Sequence, residues 1–344
     1  MKNLFTLLAL TGSIHSFAGT PIDSAQFFYS KGLEEKAAKH FSVASQLFTK
    51  AVSINTSFTE AYIENGYANL EMHKTDQAKE NFTKAYTLQP SNSTSIKELA
   101  NLYFDYRQWD KAIEFAKKCT DCANSARIIG MSNYEKEDYG QAEKYLLQAI
   151  AKTPADAQAQ YTLARTYIEM ELEQKAVPYF EKAVSLNPDK NAWAYELGLL
   201  YYNNEDFKNS VRAFETAAAH GYVESNDFNE NYGYSLLYSG NFAKGEEKLM
   251  GVYQRKPGDK TIIRDLAQVL YAKQQYNRSL DYCQKLLEMD PKDGKALYQA
   301  GMDFQKLGQK DKGQGMCEQA IKMDPSLESL RTKKMDMGNS IGAL

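Results

Sequence analysis

The chain has 344 residues, of which 43% are hydrophobic and 25% charged, and its mean hydropathy is -0.57. These values exclude a bundle of membrane helices and a disordered chain, and the length alone suggests about two domains. Forty-one basic and 44 acidic side chains leave a net charge of -3, so no global basic field recruits nucleic acid, and four cysteines are too few for a disulfide scaffold. Eight prolines are few and 24 tyrosines are many.

The first segment reads as an address. Met1 and Lys2 lead into Leu4, Phe5, Leu7, Leu8 and Leu10, and Ser16, Phe17 and Ala18 end it with a small-x-small site. This predicts a secretory signal peptide over 1–18, cut after Ala18, and a periplasmic or secreted product. The first cysteine is Cys119, so no lipid attachment site accompanies it. Thr20, Pro21 and Asp23 then form an N-cap, a first-turn proline and a capping acid, which predicts a helix starting almost at the cleavage site.

A period of about 34 residues organises the rest. Small residues recur at Ala44, Ala78, Ala112, Ala142, Ala176, Ser210, Gly245, Ser279 and Gly313. Twelve residues before each stands another, at Gly32, Gly66, Ala100, Gly130, Ala164, Gly198, Gly233, Ala267 and Gly301. Two helices joined by a tight turn approach closely only where neither carries bulk at the crossing, which predicts a helix hairpin in every unit. Four residues after the second marker lies a larger apolar group, as at Phe48, Phe82, Leu146, Phe180, Phe214 and Leu249. Aromatics open the second helix at Phe41, Trp109, Tyr139, Phe207, Phe242 and Tyr276, and an aromatic or Leu precedes them at Tyr103, Tyr167, Tyr201, Leu236, Leu270 and Phe304. Prolines close six units, at Pro90, Pro154, Pro188, Pro257, Pro291 and Pro325.

Gly or Ala, then an aromatic, then Ala, Phe, Ala and Pro at these offsets resemble the tetratricopeptide repeat, and Tyr62, Gly66, Ala78, Phe82, Ala85 and Pro90 show it well. The resemblance implies an all-α, right-handed superhelical solenoid. Nine helix-turn-helix repeats are expected near 25–58, 59–92, 93–122, 123–156, 157–190, 191–225, 226–259, 260–293 and 294–327, as one domain over 19–337. Leu327, Leu330, Lys334 and Met337 predict a capping helix over 326–337, followed by a flexible tail, 338–344.

Three departures carry information. Repeat three is four residues short, and the shortening is expected in its closing turn around Cys119 and Cys122. That CxxC has two readings, a local disulfide and a pair of reduced thiols; zinc is disfavoured for want of two further ligands. Pro178 falls inside a second helix, where it bends the helix or costs a hydrogen bond. Repeat six has one extra residue near Gly221, which suits a left-handed position after a helix. Cys283 and Cys317, one period apart, read as buried small hydrophobes.

His15, His40, His73 and His220 show no metal spacing, and no phosphate loop or GxSxG turn is present. No cofactor, metal or catalytic residue is expected, nor membrane insertion or nucleic acid. In the family, the first helix of each pair lines a concave surface that holds a protein or peptide segment. Carrying its contact positions over places Tyr67, Lys97, Asn101, Phe104, Arg127, Tyr134, Tyr161, Arg165, Tyr195, Tyr202, Tyr234, Tyr238, Arg264, Tyr271 and Tyr298 there, with Tyr29 at the start. Tyrosine offers broad apolar contact with one hydroxyl, which suits peptide recognition, and packing between helices is the competing role. Lys97, Asn101, Arg127 and Arg165 read either as a carboxylate site or as solvated charge. Lys97 and Asn101 resemble the first pair of a chaperone carboxylate clamp, but Ile128, Gln158 and Thr162 break the rest of that pattern. The expected function is a non-catalytic scaffold or adaptor of the bacterial cell envelope. The alternatives are a self-associating structural solenoid and an accessory subunit of an envelope enzyme or secretion complex.

Overall fold

The computed structural model describes residues 21–120 and 122–332, so the expected signal peptide, the expected Thr20 cap, the end of the expected capping helix and the expected tail lie outside the described residues. Contacts divide the chain into two compact units, up to Pro154 and from Ala155. The first holds α1 (Pro21–Ala37), α2 (Phe41–Ile54), α3 (Thr59–Glu71), α4 (Thr75–Leu88), α5 (Ser93–Asp105), α6 (Trp109–Lys118), α7 (Ser125–Glu135) and α8 (Tyr139–Lys152). The second holds α9 (Ala157–Glu169), α10 (Glu173–Leu186), α11 (Asn191–Asn203), α12 (Phe207–Ala219), α13 (Asn226–Tyr238), α14 (Phe242–Arg255), α15 (Thr261–Ala272), α16 (Tyr276–Met289), α17 (Gly294–Lys306) and α18 (Lys310–Met323), then a 3-10 turn (Pro325–Leu327) and α19 (Glu328–Thr332). In each unit odd and even helices pair as hairpins, and each hairpin packs on the next. This is the all-α stacking of helix-turn-helix repeats expected from the period.

The small markers work as contact surfaces. A methyl built on Gly66 would meet the Phe82 ring at 2.7 Å, and on Gly198 the Phe214 ring at 2.9 Å; both rings are fully buried. Where the second marker is serine, the crossing is a hydrogen bond. Ser210 donates to the Gly198 carbonyl and Ser279 to the Ala267 carbonyl, each at 2.8 Å.

The hairpin turns share one device that the sequence pattern did not announce. In all nine, a residue after the first helix takes positive φ: Lys39, His73, Arg107, Glu137, Glu171, Glu205, Gly240, Gln274 and Gly308. Only two are glycine. The next amide then reaches back five residues, as Gln108 does to the Tyr103 carbonyl, Leu172 to Tyr167 and Gln275 to Leu270. This Schellman closure satisfies carbonyls that the helix end leaves open. In six of the turns the aromatic or Leu noted earlier supplies that carbonyl, and in the other three Glu35, Asn69 and Asn133 do.

Repeat three is short for a different reason than expected. Helix α6 has 10 residues where α2, α4 and α8 have 14, so the deletion removes a helical turn from α6 itself, ahead of the closing turn. Cys119 caps the truncated helix and is bonded to Cys122, with Cα atoms 5.4 Å apart. Ser125 donates to the Cys119 carbonyl at 2.9 Å, which ties the bridge to the start of α7. Pro178 lies inside α10, and Gly221 takes φ +83 after α12.

Two measurements check these points. Gly198→Ala pushes a methyl against Phe214 and is expected to cost about 1–3 kcal/mol in urea unfolding. Gly251→Ala, inside α14 with nothing within 4 Å of the new methyl, is expected to stabilise by about 0.5–1 kcal/mol through helix propensity. Mass measurement on protein from an oxidising compartment is expected to show a gain of two hydrogens at Cys119 and Cys122 on reduction, and free thiols before reduction contradict the bridge.

Candidate interaction face on the odd-numbered helices

Within the first unit, Tyr67 on α3 is half-buried; its ring meets Phe82 edge-on at 5.3 Å and its hydroxyl donates to Glu98 on α5 at 3.2 Å. Burial first, then the Glu98 charge, drives its pKa upward. Lys97 is exposed, 3.7 Å from Glu98. Asn101 accepts from Asn124 at 2.9 Å. Phe104 packs edge-on against Trp109 at 5.4 Å, and Tyr134 lies 6.0 Å from Tyr139. Burial raises the Asp105 pKa, and Arg127 on α7 opposes that rise. Tyr29 on α1 packs on Phe58 at 4.8 Å.

The second unit carries the denser aromatic surface. Tyr161 on α9 stacks on Trp193 of α11 at 4.5 Å and donates to Glu196 at 3.0 Å. Arg165 binds Glu196 at 3.1 Å and Glu169 at 3.2 Å. Tyr195 stacks on Tyr222 at 4.6 Å and approaches Phe228 at 5.9 Å. Tyr202 lies 5.6 Å from Phe207 and 6.4 Å from Tyr238, and Phe207 stacks on Tyr238 at 4.6 Å. Tyr234 donates to Asp265 at 2.5 Å.

Electrostatics follow from this crowding. Burial, helped by Tyr238, Asp265 and Glu230, pushes the Tyr202 pKa up to about 12. Burial and then Asp227, Asp265 and Asp259 raise that of Glu230. Arg264 grips Asp293 through two bonds, at 2.7 and 3.4 Å. Tyr271 and Tyr298 are buried, 8% exposed each, in a cluster with Leu297, Met302 and Leu327. They serve packing, whereas Tyr161, Tyr195, Tyr202, Tyr234 and Tyr238 keep partly open rings.

The sequence reading missed the acids that these side chains address. Tyr67 to Glu98, Arg165 to Glu196 and Tyr234 to Asp265 are each 31 residues apart, one period less a helical turn. That spacing was available as a signal: it places a donor opposite an acceptor on the next odd-numbered helix. Among the described residues no group of three His, Cys, Asp or Glu is placed to hold a metal ion, and no helix is long and apolar enough to cross a membrane.

Comparison with known proteins agrees with this geometry. A tetratricopeptide repeat model matches residues 59–92, 157–190 and 265–293, and a second tetratricopeptide repeat model matches 195–260. The chain is 27% identical over 168 residues to the Type IV pilus assembly protein PilF of Pseudomonas aeruginosa, covering 47% of this chain and 67% of that protein. It is 27% identical over 166 residues to the human Protein O-mannosyl-transferase TMTC3, covering 46% of this chain and 18% of that protein. The chain thus spans less than a fifth of the transferase. The C-terminal part of a TPR repeat-containing protein from Cytophaga hutchinsonii superposes with a TM-score of 0.51 at 18% identity, covering 70% of this chain and 98% of that one, which supports the fold.

If the hydroxyls of the odd-numbered helices join successive hairpins, Tyr234→Phe should lose the Asp265 bond and cost about 1–2 kcal/mol in urea unfolding. Tyr202→Phe, for which no hydroxyl hydrogen bond is described, should stay within about 0.5 kcal/mol of the parent.

Proposed function

We propose, on the premise that this chain carries tetratricopeptide repeats, that it is a non-catalytic scaffold of the bacterial cell envelope that binds a partner segment on the odd-numbered helices of its second unit. Tetratricopeptide repeat proteins bind peptides or proteins. The observation that carries the reading is the run of partly open tyrosines at 161, 195, 202, 234 and 238 on consecutive odd-numbered helices, with rings held by stacking. Rings already fixed by neighbours lose little freedom on binding, so their area contributes to affinity at low entropic cost.

The envelope setting rests on the leader-like segment 1–18 and is in keeping with the name of the pilus assembly relative. No reaction is assigned to this face.

In-cell crosslinking with mass spectrometry tests the reading, comparing the parent with Tyr202→Ala combined with Tyr238→Ala after circular dichroism has shown equal helix content. Loss of one or more crosslinked partners is expected. An unchanged partner set means that this face is not the docking surface.

A further inference from the structure

The last helix pair differs from those before it at one buried position. Two residues after the first small marker, the second to eighth pairs carry an apolar or hydroxylic side chain, for instance Leu200, Ser235 and Val269. The ninth carries Asp303, which is 0% exposed. Its Oδ2 lies 2.8 Å from the Ser279 hydroxyl, and that same hydroxyl lies 2.8 Å from the Ala267 carbonyl.

A serine hydroxyl has one proton. Given to Ala267, as Ser210 gives its own to Gly198, it leaves the contact with Asp303 to be closed by a proton from the other side. At the comparable place within the same unit the Ser210 hydroxyl meets that of Ser235 at 2.8 Å, where either can donate, and Ser235 also reaches the Asn231 carbonyl at 2.8 Å. A carboxylate has no proton to give, and a carboxylic acid has one. The second oxygen of Asp303, Oδ1, is buried without a hydrogen bond, a position that a full negative charge tolerates poorly.

The surrounding groups offer little compensation. On α15 the guanidinium of Arg264 is engaged by Asp293, and Tyr271 has its own pKa raised by burial, Tyr276 and Asp303. On α16 the Cys283 thiol lies 3.8 Å from Oδ2 and is driven strongly upward by burial, so it stays neutral. On α17 stand the neutral Gln299 and Tyr298, and on α18 Cys317, which burial also pushes up. A cavity of about 80 Å³ nearby is lined by Cys283, Gln299, Met302 and Leu327 together with the cations Arg264 and Lys295, and Asp303 is not part of its lining.

We propose that Asp303 is a proton-held latch: as a neutral acid it donates to Ser279 and closes α17 and α18 onto α15 and α16, and loss of that proton loosens the last helix pair. In support, burial raises the Asp303 pKa to about 7, and the neighbouring polar groups of Ser279, Cys283 and Gln299 offset that rise only in part. The folded form therefore holds a proton that the unfolded form has already released. Stability of the last pair falls as pH rises from about 4 to about 7 and levels off above.

The test is made on the full chain. Carboxyl carbon NMR of Asp303 reads the proton directly and is expected to titrate near neutrality; a midpoint near the ordinary value of about 4 overturns the proposal. Hydrogen exchange of amides in 294–323, corrected for intrinsic rates, is expected to show at least about tenfold more opening at pH 8 than at pH 5.5, since each unit of displaced pKa is worth up to tenfold. Asp303→Asn keeps a donor without the charge, and Asp303→Ser copies the hydroxyl found at Ser235. Both are expected to remove the pH dependence in 294–323 while leaving exchange in α9 to α12 unchanged. A variant that retains the parent's pH dependence overturns the latch, and the NMR measurement on the parent decides the matter even where a variant folds poorly.

Discussion

The close approach of two helices at a pair of small residues is the constraint on which the rest of this molecule depends. At Gly198 against Phe214, or Gly66 against Phe82, there is no room for one methyl group. That contact fixes the hairpin, the hairpin fixes which side chains face its neighbours, and those faces fix where tyrosines and acids meet. Each hairpin buries its apolar side only against adjacent ones, so the core is a succession of small shared cores.

The hydroxyl groups add a second layer of specification. A ring alone would pack between helices in several rotations, but Tyr67 on Glu98, Tyr161 on Glu196 and Tyr234 on Asp265 each commit a hydroxyl to the following odd-numbered helix. Each bond is modest in net energy. Together they align successive hairpins and hold the rings with one face partly open. Packing and recognition, which the sequence offers as competing roles for tyrosine, are therefore compatible in the same residue.

Much of the fold was legible because the small-residue pairs repeat without exception and sterics leave them one interpretation. The openings of the even-numbered helices at Phe41, Trp109 and Tyr276 were legible for the same reason. The turns were harder: seven of their left-handed positions hold Lys, His, Arg, Glu or Gln, so the glycine signal that marks such a turn is absent. The shortening of α6 was placed too late, because residue counting fixes how many residues are lost and helix continuation decides where. On the candidate face, identities were legible but roles were not. Tyr271 and Tyr298 occupy the same family positions as their open counterparts, and their burial in a cluster with Leu297, Met302, Ala320 and Leu327 separates them. Asp303 was invisible as anything but a charged residue until the proton of Ser279 was counted.

The nearest-neighbour construction bears on what damage at one place does elsewhere. A globular core transmits a defect in all directions, whereas a row of hairpins transmits it only along the row. A weakened hairpin in the interior severs the cooperation of those on either side, but one at the end can only fray. The proposed latch at Asp303 therefore acts on α17, α18 and the pair they pack against, while Tyr161, Tyr195 and Tyr202 lie on helices two or more pairs distant and keep their own neighbours.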